Sequence, residues 1–286
     1  MNKDKMGDTQ CRVWSQTSLL LDHATQGSII SRQTVIFTNQ KGGVGKSTTC
    51  RECGFYLASV GFKVLLIDCD PQGNLSKSLS DASGSGLFDA LENGEVNIRE
   101  IDANLYLLSG DIRLSILEKR YLGEIDAYSR IKDLLTGKEF EHFDFILFDT
   151  PPSLSILTLN ALAASRHLII PMKPSLYSMQ GTNDLMNAVS KVKKNLNPDL
   201  SILGVIINEF SCIPVITRQI RAEIEQSFGK SVFETVVSKS IKIEEAIAQR
   251  TGVINLPGNG SSKISREIAS LGDEILKRLG VGPRIV

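Results

Sequence analysis

Residues Asn39-Gln40-Lys41-Gly42-Gly43-Val44-Gly45-Lys46-Ser47-Thr48 have the types and spacing needed to hold phosphate. Gly42, Gly43 and Gly45 let the backbone close around an anion, and a helix beginning there turns its N–H groups and positive end toward it. Lys46 then reaches the β- and γ-phosphates, and the Ser47 hydroxyl holds Mg²⁺. The ordinary phosphate loop needs a glycine five residues before Gly45, where this chain has Gln40. The pattern that fits is K-G-G-x-G-K-[ST], led by a second lysine, Lys41. The chemistry implied is binding of a nucleoside triphosphate.

Two further segments supply acids. Val64-Leu65-Leu66-Ile67-Asp68-Cys69-Asp70-Pro71 puts two aspartates at the carboxyl end of an apolar run, the edge where open α/β sheets bind ligands. If the strand continues past Asp68, Asp68 and Asp70 share a face. Two carboxylates beside a triphosphate repel it unless Mg²⁺ or a polarised water lies between; Asp68 is expected to hold Mg²⁺ waters. Phe145-Ile146-Leu147-Phe148-Asp149 is a second apolar run closed by aspartate, the pattern of a carboxylate that supports the Mg²⁺ shell.

The rest of the chain reads as the scaffold for these groups. Apolar runs at 34–38, 64–68, 105–108, 145–148, 168–171, 202–207 and 232–237 alternate with helical patterns. These helices are expected near 46–60, 112–121, 127–136, 154–165, 179–195, 215–228, 241–250 and 262–279. Strands apolar on both faces, alternating with helices, predict a doubly wound, mostly parallel sheet with helices on both faces. Residues 1–32 read as a flexible extension that includes the lone Trp14, 33–280 as the domain that carries the phosphate loop, and 281–286 as a short tail.

Bulk properties narrow the function. Formal net charge is zero over 286 residues, which argues against a uniformly basic nucleic-acid binder. The charge is uneven: residues 1–159 carry 16 Lys/Arg and 21 Asp/Glu, and residues 160–286 carry 16 and 11. If DNA is a partner, the second half is the expected face, although ordinary helix-surface lysines also explain a bias this small. No run approaches the ~18 apolar residues of a membrane helix, and Ser18–Asp22 is too short for a signal peptide. Five scattered cysteines suit reduced thiols in a cytosol. Cys50 and Cys53 read as small buried residues on a helix rather than as a metal pair.

The lysine-led loop preceded by Thr38-Asn39-Gln40, the Asp68-Cys69-Asp70-Pro71-Gln72-Gly73-Asn74 segment and Asp149-Thr150-Pro151-Pro152 together resemble the ParA/Soj group of deviant Walker A ATPases, relatives of MinD. The resemblance covers about 33–280 and implies the P-loop NTPase fold, with ATP and Mg²⁺ as ligands. By resemblance Lys41 is the signature lysine, which crosses an ATP-sandwich homodimer to touch the partner's phosphates. Asp70 orients the attacking water, and the D-x-P-P turn senses the γ-phosphate. Asn208 corresponds to a residue that meets adenine. Lys242 stands where relatives carry a DNA-gripping arginine, and Ser238 where they carry a proline that shapes the adenine pocket. Arg218, Arg221, Lys230, Lys263 and Arg266 are further candidate DNA cations.

The function so implied is a slow ATPase of the cytoplasm and nucleoid. It binds double-stranded DNA non-specifically, is stimulated by a ParB-like protein, and partitions plasmid, chromosome or other cargo. Alternatives are a membrane-cycling, MinD-like regulator and a cargo-positioning relative with weaker DNA binding. The last helix carries Leu271, Ile275, Leu276 and Leu279 on one face, but Asp273 and Glu274 interrupt it, so packing against the sheet is expected rather than a membrane anchor. Without cysteines between Cys69 and Cys212, an iron–sulfur relative is excluded.

Overall fold

The computed structural model describes residues 31–81, 84–174, 181–210, 214–258, 262–282 and 284, with the backbone alone described at 209–210 and 214–218. Residues 1–30 of the expected extension, with Trp14, the Ser18–Asp22 patch and Cys11, together with Cys212 and residues 283, 285 and 286 of the expected tail, lie outside the described residues.

Eight strands form one sheet: β1 (Gln33–Phe37), β2 (Val64–Asp68), β3 (Arg99–Asp102), β4 (Leu105–Leu108), β5 (Phe145–Asp149), β6 (His167–Met172), β7 (Ser201–Phe210) and β8 (Val232–Ser238). Their order is β3-β4-β2-β5-β1-β6-β7-β8, and every pair is parallel except β3 with β4. The helices are α1 (Lys46–Ser59), α2 (Asn74–Leu79), α3 (Leu87–Asn93), α4 (Leu114–Arg120), α5 (Arg130–Leu134), α6 (Ile156–Ala164), α7 (Thr182–Asn195), α8 (Pro214–Phe228), α9 (Ile241–Ala248) and α10 (Lys263–Leu279). This is the doubly wound α/β fold.

The central strands are buried along their whole length, as residues covered on both faces must be. Ile36, Leu65, Ile67, Ile146, Phe148, Leu168 and Ile170 point into a core shared with α4 to α8. Their alternates face the other way: Leu66 and Leu105 lie so close beneath Gly54 of α1 that a methyl group there would come within 2.8 Å of Leu66. Helix α10 completes that layer with Ile268, Leu271, Ile275 and Leu276 buried, so its apolar stripe is spent on packing. Among the described residues no helix is long and apolar enough to cross a membrane.

Helix α10 also closes a sheet edge. The Glu274 carboxylate accepts the backbone N–H groups of Glu234 and Thr235, each at 3.0 Å, and Glu267 accepts that of Ser238 at 2.8 Å. Arg278 caps the carbonyls of Leu203, Ser231 and Val232 at 2.8–3.1 Å and stacks on Phe233. An edge strand whose N–H groups are so satisfied is a poor template for another strand.

Three elements differ from the sequence expectation. Strand β3 is polar and only half-buried, since an antiparallel edge strand does not need two apolar faces. Helices α2 and α3, at six and seven residues, are too short to show a helical period. Strand β2 spans 64–68 as expected; because it ends at Asp68, Asp70 lies in a loop and the condition for a shared face is not met.

At Gly272 of α10 a Cβ would fall 1.9 Å from Tyr56 Cδ1 on α1. Overpacking of this kind costs about 1–3 kcal/mol, against a helix-propensity gain of about 0.5–1 kcal/mol. Gly272→Ala is therefore expected to lower the thermal midpoint by a few degrees in a melt followed by circular dichroism.

Candidate functional site

The phosphate loop spans the end of β1 and the start of α1, at the carboxyl edge of the sheet and next to the β1/β6 boundary where the chain changes direction. Gly43 and Gly45 have φ of 68° and 85°, a left-handed conformation that favours glycine. At Gly45 a side chain would also strike Asn208, with 2.8 Å left to Nδ2. Gly42 and Gly43 are exposed, Lys41, Ser47 and Thr48 are half-buried, and Val44 and Lys46 are buried.

Long-range hydrogen bonds hold the loop. Asn39 Nδ2 donates to the Pro171 carbonyl of β6 at 2.8 Å, and Asn39 Oδ1 accepts the Lys41 N–H at 3.0 Å. Asn208 of β7 donates through Nδ2 to the Val44 carbonyl at 3.0 Å and to Thr49 Oγ1 at 2.8 Å. Thr49 Oγ1 donates to the Gly45 carbonyl at 2.7 Å. Lys46 Nζ donates to the Lys41 carbonyl at 3.4 Å. Burial lowers the Lys46 pKa, and the nearby charges of Asp149 and Asp70 oppose that.

Asp68 and Asp149 are register partners on adjacent parallel strands, and both are fully buried. The Asp68 carboxylate is well supplied: Oδ1 accepts the Asp70 N–H at 3.1 Å, and Oδ2 accepts Ser76 N–H and Oγ–H at 2.9 and 2.7 Å. Burial still pushes its pKa up to about 6. Neither oxygen of Asp149 has a hydrogen-bond partner of good geometry. Burial, and then Asp68, push its pKa well up; the nearby Ser47 hydroxyl and Lys46 pull against them. Asp70 is buried in the following turn, where its Oδ1 accepts the Gln72 N–H at 2.9 Å. Lys41, Lys46, Ser47, Asp68, Asp70 and Asp149 thus belong to one sheet edge.

A pair of bare carboxylate oxygens in the protein interior, beside a serine hydroxyl and a lysine, suits a hydrated divalent cation shared with phosphate. Among the described residues no group of three or more His, Cys, Asp or Glu forms a cage that could hold a metal by itself. Mg²⁺ is commonly bound by one or two carboxylates while it keeps several waters and takes further oxygens from a nucleotide. Cys50 and Cys53 are buried free thiols whose pKa values burial raises.

Beside the loop opens a cavity of about 460 Å³, lined among others by Gly45, Thr48, Glu52, Asn208, Ser240 and Ile243. Asn208 Oδ1 is buried there without a partner. Ser238, which stands where the resemblance implies a proline, also lines this cavity, and Glu267 accepts its N–H and hydroxyl, both at 2.8 Å.

Residues 32–202 match the AAA domain family. The chain is 36% identical over 219 residues to the chromosome-partitioning ATPase Soj of Treponema pallidum, covering 75% of this chain and 86% of that protein. It is 33% identical over 266 residues to the chromosome partitioning protein ParA of Myxococcus xanthus, covering 89% and 90%. The chain belongs to the Soj/ParA family of ATPases. Cobyrinic acid a,c-diamide synthase from Mycobacterium smegmatis, solved with an ATP analog and magnesium, shares the fold. Its TM-score is 0.77 at 26% identity, over 89% of this chain and 98% of that one.

The DNA candidates of this Soj/ParA chain are distributed over several elements. Lys242 at the start of α9 is paired with Glu245 at 2.7 Å, Arg221 of α8 with Glu225 at 2.6 Å, and Lys263 of α10 with Glu267 at 3.4 Å. Arg266 lines a shallow depression with Lys263 and Glu234. Lys230 follows α8 and is exposed. The Arg218 side chain lies outside the described residues. Sequence reasoning missed Ser76, which braces Asp68, and the pair Arg51 and Glu52. The signal for the pair was two charges between two buried cysteines in the interior of α1.

A carboxyl whose pKa rises on folding binds more protons folded than unfolded, so its ionisation subtracts stability. Compared with Asp68→Asn, the nucleotide-free protein is expected to lose melting temperature as pH rises from 3.8 to about 6 and Asp68 ionises, and compared with Asp149→Asn to lose more above that. Asp149→Asn is expected to raise the melting temperature at pH 8 and to abolish the stabilisation given by Mg–ATP. A variant that melts like the parent and keeps the full Mg–ATP shift contradicts this account of the acid.

Proposed function

We propose that the chain binds Mg–ATP at this edge and closes as an ATP-dependent homodimer. In that state it binds double-stranded DNA non-specifically until a ParB-like protein stimulates hydrolysis, and so positions or partitions a DNA molecule or other cargo on the nucleoid. The observation that carries the reading is the buried carboxylate of Asp149 beside Ser47 and Lys46 of a lysine-led phosphate loop. The chain's membership of the Soj/ParA ATPases supports it.

In this reading the residues from Lys41 to Thr48 wrap the phosphates with backbone N–H groups, and Lys46 and Lys41 balance the charge spread over the γ-phosphate. Ser47 would hold Mg²⁺ directly, and Asp149 and Asp68 through water. Asp149 is the stronger water anchor, because the hydrogen bonds Asp68 already accepts leave it fewer free lone pairs. Magnesium neutralises phosphate charge when bound. Asp70 aligns the attacking water from the turn after β2. Asn208 braces the loop with its amide nitrogen and offers Oδ1, an acceptor suited to the amino group of adenine. Lys41 acts across the dimer, so the monomer turns over slowly.

DNA contact falls to Lys242, with Arg218, Arg221, Lys230, Lys263 and Arg266 as further candidates. Each phosphate neutralised adds about −0.9 to the slope of log affinity against log salt. A MinD-like membrane cycle draws no support from α10, whose apolar face is already buried.

The test measures DNA binding and ATP turnover together, with ATP, ADP or no nucleotide, at two salt concentrations. The parent is expected to bind DNA with ATP alone and to weaken steeply with salt. Asp70→Ala should bind DNA with ATP and not hydrolyse it. Lys41→Ala should keep most nucleotide affinity and lose partner-stimulated turnover. DNA binding indifferent to nucleotide, or equal turnover in Asp70→Ala and parent, defeats the reading.

A further inference from the structure

Helix α1 carries Arg51 and Glu52 in its second turn. Both side chains are buried, at 1% and 0% exposure, and they form an ion pair. Burial is the largest influence on each: it raises the Glu52 carboxyl and lowers the Arg51 guanidinium, while the partner opposes it. A buried pair of this kind is often no more stabilising than two apolar side chains. What it adds is geometry, and its remaining bonds all lead to one place.

Arg51 Nη2 donates to the carbonyls of Ala246 at 3.2 Å and Thr251 at 2.6 Å. Glu52 Oε2 accepts the Val253 N–H at 2.8 Å. Between them Gly252 lies flat on α1, where an added Cβ would meet Phe55 Cβ at 2.6 Å. The segment 246–253 is thus held against the phosphate-loop helix at four points, residues 246, 251, 252 and 253. It is continuous with α9, whose first turn and preceding residues form one wall of the 460 Å³ cavity through Ser240, Ile241, Ile243 and Glu244. The opposite wall is Gly45, Thr48, Thr49 and Glu52 itself.

We propose that Arg51 and Glu52 are positioning residues that set the width of the base side of the nucleotide site, by fixing α9 to the helix that starts at the phosphate loop. This rests on the nucleotide reading given above. The phosphate side needs no such latch, because Asn39, Asn208 and Thr49 hold the loop directly. The pair therefore governs affinity for the base and sugar and leaves affinity for the triphosphate chain alone.

The test compares two ligands, Mg–ATP and magnesium tripolyphosphate, by calorimetry. The double variant R51M/E52M removes both charges at similar volume, whereas a single substitution leaves one charge buried and unpaired. The variant is expected to melt within a few degrees of the parent, bind ATP about tenfold more weakly, and bind tripolyphosphate as the parent does. Gly252→Ala pushes the same segment off Phe55 without touching the charges, and should show the same split; it decides the matter if the double variant does not fold. Unchanged ATP affinity, or equal weakening toward both ligands, overturns the proposal. A parent that binds tripolyphosphate but not ATP overturns it too, and a parent that binds neither defeats the nucleotide reading itself.

Discussion

Two aspartates stand side by side at the ends of neighbouring parallel strands, both without solvent, and the rest of the site follows from that crowding. Asp68 and Asp149 are register partners, so the sheet itself forces their backbones together. Like charges this close, in a medium of low dielectric, cannot both ionise without a cation. Lys46 supplies one, but it is itself desolvated and its pKa is lowered. In the proposed reading, a divalent ion between these acids and the phosphate loop would relieve this crowding further. Ligand affinity would thereby be drawn from instability already built into the fold.

The loop that meets this charge is set before any ligand arrives. Asn39 ties it to β6, Asn208 ties it to β7, and Thr150, just after Asp149, donates to the Phe37 carbonyl at 3.0 Å. Each bond joins the loop or its neighbour to a different strand of a close-packed sheet. The backbone N–H groups are therefore aimed by the core rather than by the phosphate, which is the condition for electrostatic stabilisation without reorganisation.

Most of this was legible in the sequence because residue type fixed it. Apolar runs such as 64–67 and 145–148 can only be strands covered on both faces, and the acids that close them must lie at the carboxyl edge. The glycines of the loop announce positive φ, as found at Gly43 and Gly45. What was not legible depends on partners distant in sequence. Arg51 binds a carbonyl 195 residues away, and nothing local distinguishes it from a surface arginine except its apolar neighbours. Strand β3 and helices α2 and α3 escaped for another reason: they are short, and their form is imposed by packing against β4 and the Asp68 turn rather than by periodicity.

The surface cations raise a question of distance. Lys242, Arg221 and Lys263 each sit beside an acid three or four residues away. Such exposed pairs are worth only about 0.3–0.5 kcal/mol, so a phosphate replaces the carboxylate at small cost on contact. At long range each pair is a dipole rather than a charge, and beyond roughly 8 Å at physiological salt its field is screened. On the proposed reading, a single copy would therefore attract DNA weakly through these residues. Two copies presenting their cations together would exceed what each gives alone. The same local pairing that would keep the free chain indifferent to DNA would then make association the step at which it stops being so.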